Sequence, residues 1–405
     1  MFPNDTEVFL SELAKTHQFK RLLNKLHLPK LSDSSNTLLN VMYAKIRMSF
    51  KEYETKKTFI LKTLKKEATL KKTVEFNVIP QPLTEIIDRV CVLNYSFSIR
   101  LPLYKSGSER VLKIFICAPA HYTTTKIKNM IGLISTWFIF VNDFVDNGCS
   151  NFVDIYLYLI PNKKNMPEHS EIIDREHVNT AFTTTCALKT NVHIFREEEW
   201  FRALIHESFH NLGLDFITMG DTAIIKEEER INAAFHTTIP EIRLYETYCE
   251  MWAEVLNLLF YVFINNSPDT NSPHWKVDFL RFLKYEQAFS LLQCVKIMNH
   301  NKMSYSTMDT QFKENSNCFS YYVLKCILSV HLDDFLHFCS TQFDEGVYSL
   351  QFCKTQSNLK KYTSLIIRNH KSSKMKETTM WMENADISHI GLKKTLRMSL
   401  FEIIC

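Results

Sequence analysis

The stretch from Glu197 to Phe216, E-E-E-W-F-R-A-L-I-H-E-S-F-H-N-L-G-L-D-F, limits what this chain can fold into more than any other. It contains His206-Glu207-Ser208-Phe209-His210. On a helix, positions i and i+4 share one face a turn apart, so the two imidazoles can converge on one cation with Glu207 beside them. The flanks, Ala203-Leu204-Ile205 before and Asn211-Leu212 after, carry no charge. A helix that is apolar on its remaining faces has to be buried. Glu197 to Glu199 lie where the helix dipole favours negative charge, and Gly213 stands where a left-handed residue would end the helix.

The residues before this helix supply a sheet. Phe97, Ile99, Leu101 and Leu103 alternate with polar residues, which predicts a half-buried strand, with Pro102 placing it near an edge. Lys105 to Glu109 reads as a turn and Val111 to Cys117 as a second strand, forming a hairpin. Ile127, Met130, Ile131, Ile134, Phe138 and Val141 mark the buried face of a helix over about 124–144. Residues 152–160 read as a central strand, 179–185 (N-T-A-F-T-T-T) as a polar edge strand, and 191–195 as a short strand entering the motif helix.

A two-histidine site needs a third protein ligand. Glu246, Glu250 and Glu254 recur every four residues on a helix expected from about 241 to 264 that is otherwise apolar. Stacked carboxylates repel one another, and burying them is costly unless a cation or partner compensates. Asp215, five residues beyond His210, is a further candidate.

The pairing of His206-Glu207-x-x-His210 with Glu250-Met251-Trp252-Ala253-Glu254 resembles the gluzincin branch of the zincin metallopeptidases. There a Glu on a later helix joins the two histidines and opens an E-x-x-[AS]-D segment. The chain is also similar to predicted metallopeptidases of large DNA viruses. The resemblance covers roughly residues 96–264, and it departs from the family in having Glu254 where Asp is usual. It implies an α+β fold: a zincin-like twisted mixed sheet backing the motif helix, with helical N-terminal and C-terminal regions. It further implies one Zn2+ per chain held by His206, His210 and Glu250, with Glu254 orienting a ligand and Glu207 as general base. The expected activity is hydrolysis of a peptide or protein substrate, and the edge strand at 179–185 would pair with the substrate backbone. A metzincin pattern would need a histidine where Phe216 stands, and the glycine-rich cysteine motif of peptide deformylases does not precede His206. An alternative is a structural or interaction protein on a zincin scaffold that no longer cleaves. His236, Tyr321 and Tyr322 are oxyanion donors by residue type only.

Composition narrows the rest. Seven glycines in 405 residues, with neither phosphate-loop motif, argue against a nucleotide fold of the usual kinds. Eleven scattered cysteines without C-x-x-C predict reduced thiols and an intracellular, cytoplasmic protein. No apolar run reaches the ~20 residues of a membrane span. Residues 1–75 hold 15 Lys+Arg against 8 Asp+Glu, densest from Lys45 to Lys72; we read this as a solvated helix face, with no specific nucleic acid bound. Nothing specifies an oligomeric state. The expected organisation is a basic helical region at 1–75, a metallopeptidase core at 76–264, a linker at 265–275 and a helical region at 276–405. Helices are expected at 277–298 and 319–338, with irregular helix to the end.

Overall fold

Two compact units make up the chain in a computed structural model, which describes residues 4–403 apart from 16, 27–29, 71, 104–106, 147, 169–170, 267–273 and 386–388. One unit comprises Met42–Lys163 and Asn179–Asp215; the other comprises Met1–Val41, Lys164–Val178 and Phe216–Ile404. This division is not the consecutive one suggested by the sequence, because Asp215 and the residues after Phe216 fall on opposite sides of it. The turn expected at 105–109 lies partly, and the linker at 265–275 largely, outside the described residues.

The first unit holds one mixed six-stranded sheet, ordered β1-β2-β3-β4-β6-β5. Its strands are β1 (Lys65–Lys66), β2 (Leu93–Pro102), β3 (Glu109–Ala118), β4 (Phe152–Tyr158), β5 (Ala181–Thr183) and β6 (Lys189–Ile194). β2 and β3 form the expected antiparallel pair, β3, β4 and β6 run parallel, and β5 returns antiparallel along the edge. β4 is central, as its unbroken apolar run requires: a strand covered on both faces has no polar side to present. The alternation that marks β2 leaves it one short strand from the edge.

Ile114, Ile155, Leu157, Val192 and Ile194 are fully or almost fully buried. The motif helix, Trp200–Asn211, packs on β5 and β6. A second helix, Thr124–Asn142, is tied to it by Trp137, whose Nε1–H donates to Ser208 Oγ at 3.0 Å. Thr123 caps that helix by accepting from the backbone N–H of Lys126.

Another row of side chains crosses the sheet in register: Phe115, Tyr156, His193 and Phe182. Neighbouring ring centroids are 5.0, 4.7 and 4.7 Å apart and nearly parallel. Phe76, Ile79, Leu83 and Ile87 pack in the same core cluster as Tyr156 and Tyr158. His193 is fully buried, and neither ring nitrogen has a hydrogen-bond partner among the described residues. Burial holds its pKa down at about 4, against a small opposing pull from Glu75. The fold therefore keeps His193 neutral, whereas the unfolded chain binds a proton there below about 6.5. Stability should fall as pH drops from about 6.5 towards 4, by roughly 3 kcal/mol from this residue. Chemical denaturation across that range, comparing wild type with His193→Phe, measures the difference; parallel curves would remove His193 as the cause.

The second unit is helical. Leu244–Asn265 is buried over most of its length, and Trp275–His300 and Lys325–Val330 pack against it. Arg243, in a left-handed conformation, starts the first of these three residues later than the sequence suggests. Phe216, Tyr248, Phe352 and Tyr362 form an aromatic cluster with edge-to-face and tilted contacts. The end of the chain departs from expectation. After Ile390–Lys394, residues 395–403 form no regular helix, although most of them are buried. Their backbone is met by side chains: Tyr322 Oη donates to the Leu396 carbonyl at 2.6 Å, Lys325 Nζ to Met398 at 2.9 Å and Asn257 Nδ2 to Phe401 at 2.9 Å. Glu286 accepts from the N–H groups of Leu400 and Phe401 at 2.9–3.1 Å, and Thr6 Oγ1 donates to the Leu400 carbonyl at 2.9 Å. Buried backbone groups need such partners wherever no ladder supplies them. Among the described residues no helix is long and apolar enough to cross a membrane.

Candidate metal centre

The motif helix is buried from Trp200 to Asn211, Glu207 included. The three acidic residues expected in its first turn lie before it. Glu199 is the N-cap residue in a left-handed conformation, while Glu197 accepts from Tyr122 Oη at 2.5 Å and Lys126 Nζ at 3.0 Å. The far end follows the sequence closely. Gly213 has φ of +69°, and the Leu214 N–H donates to the Phe209 carbonyl at 2.8 Å, closing the helix. The resulting turn brings Asp215, which is fully buried, back to His210, where Oδ2 hydrogen-bonds Nδ1.

His206 Nε2 and His210 Nε2 lie 3.1 Å apart. Two nitrogens at about 2.0–2.1 Å from a tetrahedral zinc are separated by about 3.3 Å, so the spacing matches a shared cation with only a small opening. The Asp215 carboxylate accepts a hydrogen bond from the Nδ1–H of His210, which leaves Nε2 with its lone pair, the tautomer a metal requires. The donor set and its orientation fit zinc. Glu207 adjoins His206 on the same buried helix, as the sequence places it.

Asn211 fixes this helix to the sheet edge. Its Nδ2 donates to Thr183 Oγ1 and the Thr184 carbonyl, both at 3.1 Å, and its Oδ1 accepts from Thr190 Oγ1 at 3.3 Å. The Asn211 carbonyl accepts from Ser150 Oγ at 2.5 Å and the Cys186 N–H at 3.2 Å. Cys149 and Cys186 form a disulfide, contrary to the expectation of thiols throughout. They are 37 residues apart with no motif between them, and only the folded loops bring them together. Their sulfurs rest on Gly213: a Cβ there would meet Cys149 Sγ at 2.8 Å.

Comparison with protein families, curated proteins and solved structures finds no match.

The carboxylates of Leu244–Asn265 belong to the helical unit. Glu246, Glu250 and Glu254 are 7%, 3% and 1% exposed, so the stripe deepens along the helix. Glu254, expected to orient a metal-bound histidine, is engaged within its own unit: Oε1 accepts from Ser329 Oγ at 2.7 Å and Oε2 pairs with Lys325 Nζ. The orienting carboxylate for His210 is Asp215, a role the sequence reading did not give it. The signal was there in Gly213, since a left-handed turn after the helix sends the next residues back across its last turn. Tyr322, one of the oxyanion candidates, spends its hydroxyl on Leu396. His236 is exposed and ends the helix Asp221–Phe235.

Proposed function

We propose that this chain is a zinc-dependent metallopeptidase whose His206 and His210 hold the ion and whose Glu207 is the general base. The observation that carries the reading is the convergence of the two Nε2 atoms at 3.1 Å, with Asp215 on the far nitrogen of His210. A bound zinc ion would supply Lewis acidity at the scissile carbonyl and make a water acidic enough to ionise near neutral pH. Glu207 takes a proton from the attacking water and delivers it to the leaving amine. Asp215 holds His210 in one tautomer and one orientation. The edge strand β5, antiparallel beside β6, offers an extended substrate a backbone to pair with.

The third ligand comes from the carboxylate stripe. Glu254 is neutralised by Lys325 inside the helical unit, leaving Glu246 and the Glu250 of the gluzincin register. Glu246 opens the stripe, in the first turn of its helix and least deeply buried. We therefore name Glu246 first.

Metal analysis of protein purified without chelators should find about one zinc per chain. His206→Ala and Glu246→Ala should lose it, Asp215→Ala should weaken affinity roughly 10–100-fold, and Glu254→Gln should retain it. If Glu250→Ala loses zinc and Glu246→Ala keeps it, the gluzincin register replaces ours. Metal-free wild type would end the zinc reading altogether.

A further inference from the structure

A groove in the helical unit is lined by none of the residues of the candidate metal centre. One wall is a stripe on the helix Gln356–His370: Ser357, Lys360, Lys361, Ser364, Leu365 and Arg368, at spacings of three and four residues. Asp334, His337 and Phe338 from the helix Leu332–Ser340, with Thr341 just after it, line the other. The hollow has a volume of about 410 Å3.

Its charge is one-sided. Residues 346–376 contain seven Lys or Arg (Lys354, Lys360, Lys361, Arg368, Lys371, Lys374 and Lys376) and no Asp or Glu. Asp334, the one acidic residue of the lining, is already occupied: Oδ2 accepts from Asn369 Nδ2 at 2.8 Å and from Arg368 Nη2 at 3.4 Å. Lys360 and Lys361 are exposed and have no carboxylate partner among the described residues. In the N-terminal basic stretch, by contrast, Lys45, Lys56, Lys57 and Lys72 do pair, with Asp143, Glu52, Glu54 and Asp88. A helix carrying neighbouring cations without counter-ions bears a self-repulsion that an anion would relieve.

The other lining groups specify the kind of anion. Ser357 and Ser364 place two hydroxyls beside the lysines, which suits a tetrahedral group with several oxygens better than a flat carboxylate, while Thr341 Oγ1 donates to the His337 carbonyl at 3.0 Å. Phe338 and Leu365, 8% and 6% exposed, are the two large apolar residues of the lining. The volume falls at the lower end of small-ligand sites.

We propose that this groove binds a phosphate-bearing small molecule of nucleotide size, with Lys360, Lys361 and Arg368 on the phosphate and Phe338 and Leu365 under the ring. The site is independent of the zinc reading.

Titration calorimetry of the full chain with adenosine monophosphate, adenosine, inorganic phosphate and a single-stranded thymidine oligonucleotide tests this. The nucleotide should bind, more tightly than inorganic phosphate, and adenosine should bind at least tenfold more weakly. Lys360→Glu with Lys361→Glu should weaken the nucleotide at least tenfold, whereas Lys371→Glu, outside the lining, should leave it within twofold. Should the double charge reversal impair folding, Lys360→Gln with Lys361→Gln replaces it, with a loss of at least threefold expected. Equal binding of adenosine and the nucleotide overturns the proposal, as does full affinity in the double variant. Oligonucleotide binding that the mononucleotide does not displace would assign the basic run to nucleic acid instead and overturn it equally.

Discussion

Glu207→Gln should keep its zinc and lose hydrolysis of a peptide library by several orders of magnitude. The substitution preserves size and hydrogen bonding but removes the carboxylate proposed as the general base. The histidines and Asp215 are untouched, so the metal content that His206→Ala removes should survive here. The two measurements together separate a hydrolase from a zinc-holding scaffold. Equal cleavage by wild type and variant would identify a contaminating protease. Zinc-loaded wild type that cleaves nothing across diverse libraries would favour the scaffold.

Lys325→Met should destabilise the helical unit by about 3–5 kcal/mol. Lys325 is 2% exposed, pairs with Glu254 and donates to the Met398 carbonyl. Removing the cation leaves a carboxylate deep in a helical interior, next to Glu286, whose own pKa burial and Glu254 push up to about 7. Two acidic groups cannot both stay ionised there without the lysine. Adding Glu254→Gln to the lysine variant should restore most of the loss, because the uncompensated charge goes with it. Urea denaturation measures both; a single variant as stable as wild type would show that the ion pair contributes little.

What could be read in the sequence is what neighbouring residues determine. The alternation from Phe97 to Leu103, the apolar run of β4, the polar edge at β5 and the left-handed Gly213 are each matched in the structure. Each depends on periodicity or on one backbone conformation. The site divides along the same line: His206, Glu207 and His210 are fixed by helical spacing, whereas the roles of the remaining carboxylates are not. Glu254 looked like an orienting group until Lys325, 71 positions later, could be seen to neutralise it. Asp215 differs by a single turn, and its place beside His210 depends on how the chain leaves the helix. Cys149 and Cys186 gave no signal because their contact depends on the sheet. Residues 395–403 look like the close of a helical region, but the polar side chains around them supply partners that helical bonding would otherwise provide.

The hydrogen bond from Thr6 to Leu400 spans 394 positions, and it sets the order in which the molecule can form. The entropy of closing so long a loop grows only slowly with its length, but the contact cannot exist until both ends have been synthesised. The strands and the motif helix, all within residues 65–211, have left the ribosome long before then. The helical unit, gathered from three separate stretches, must wait for its last one. A nascent chain should therefore hold a finished sheet beside an incomplete helical unit whose apolar helices need protection. A chaperone requirement during synthesis, relieved once residue 400 has emerged, is the expected outcome.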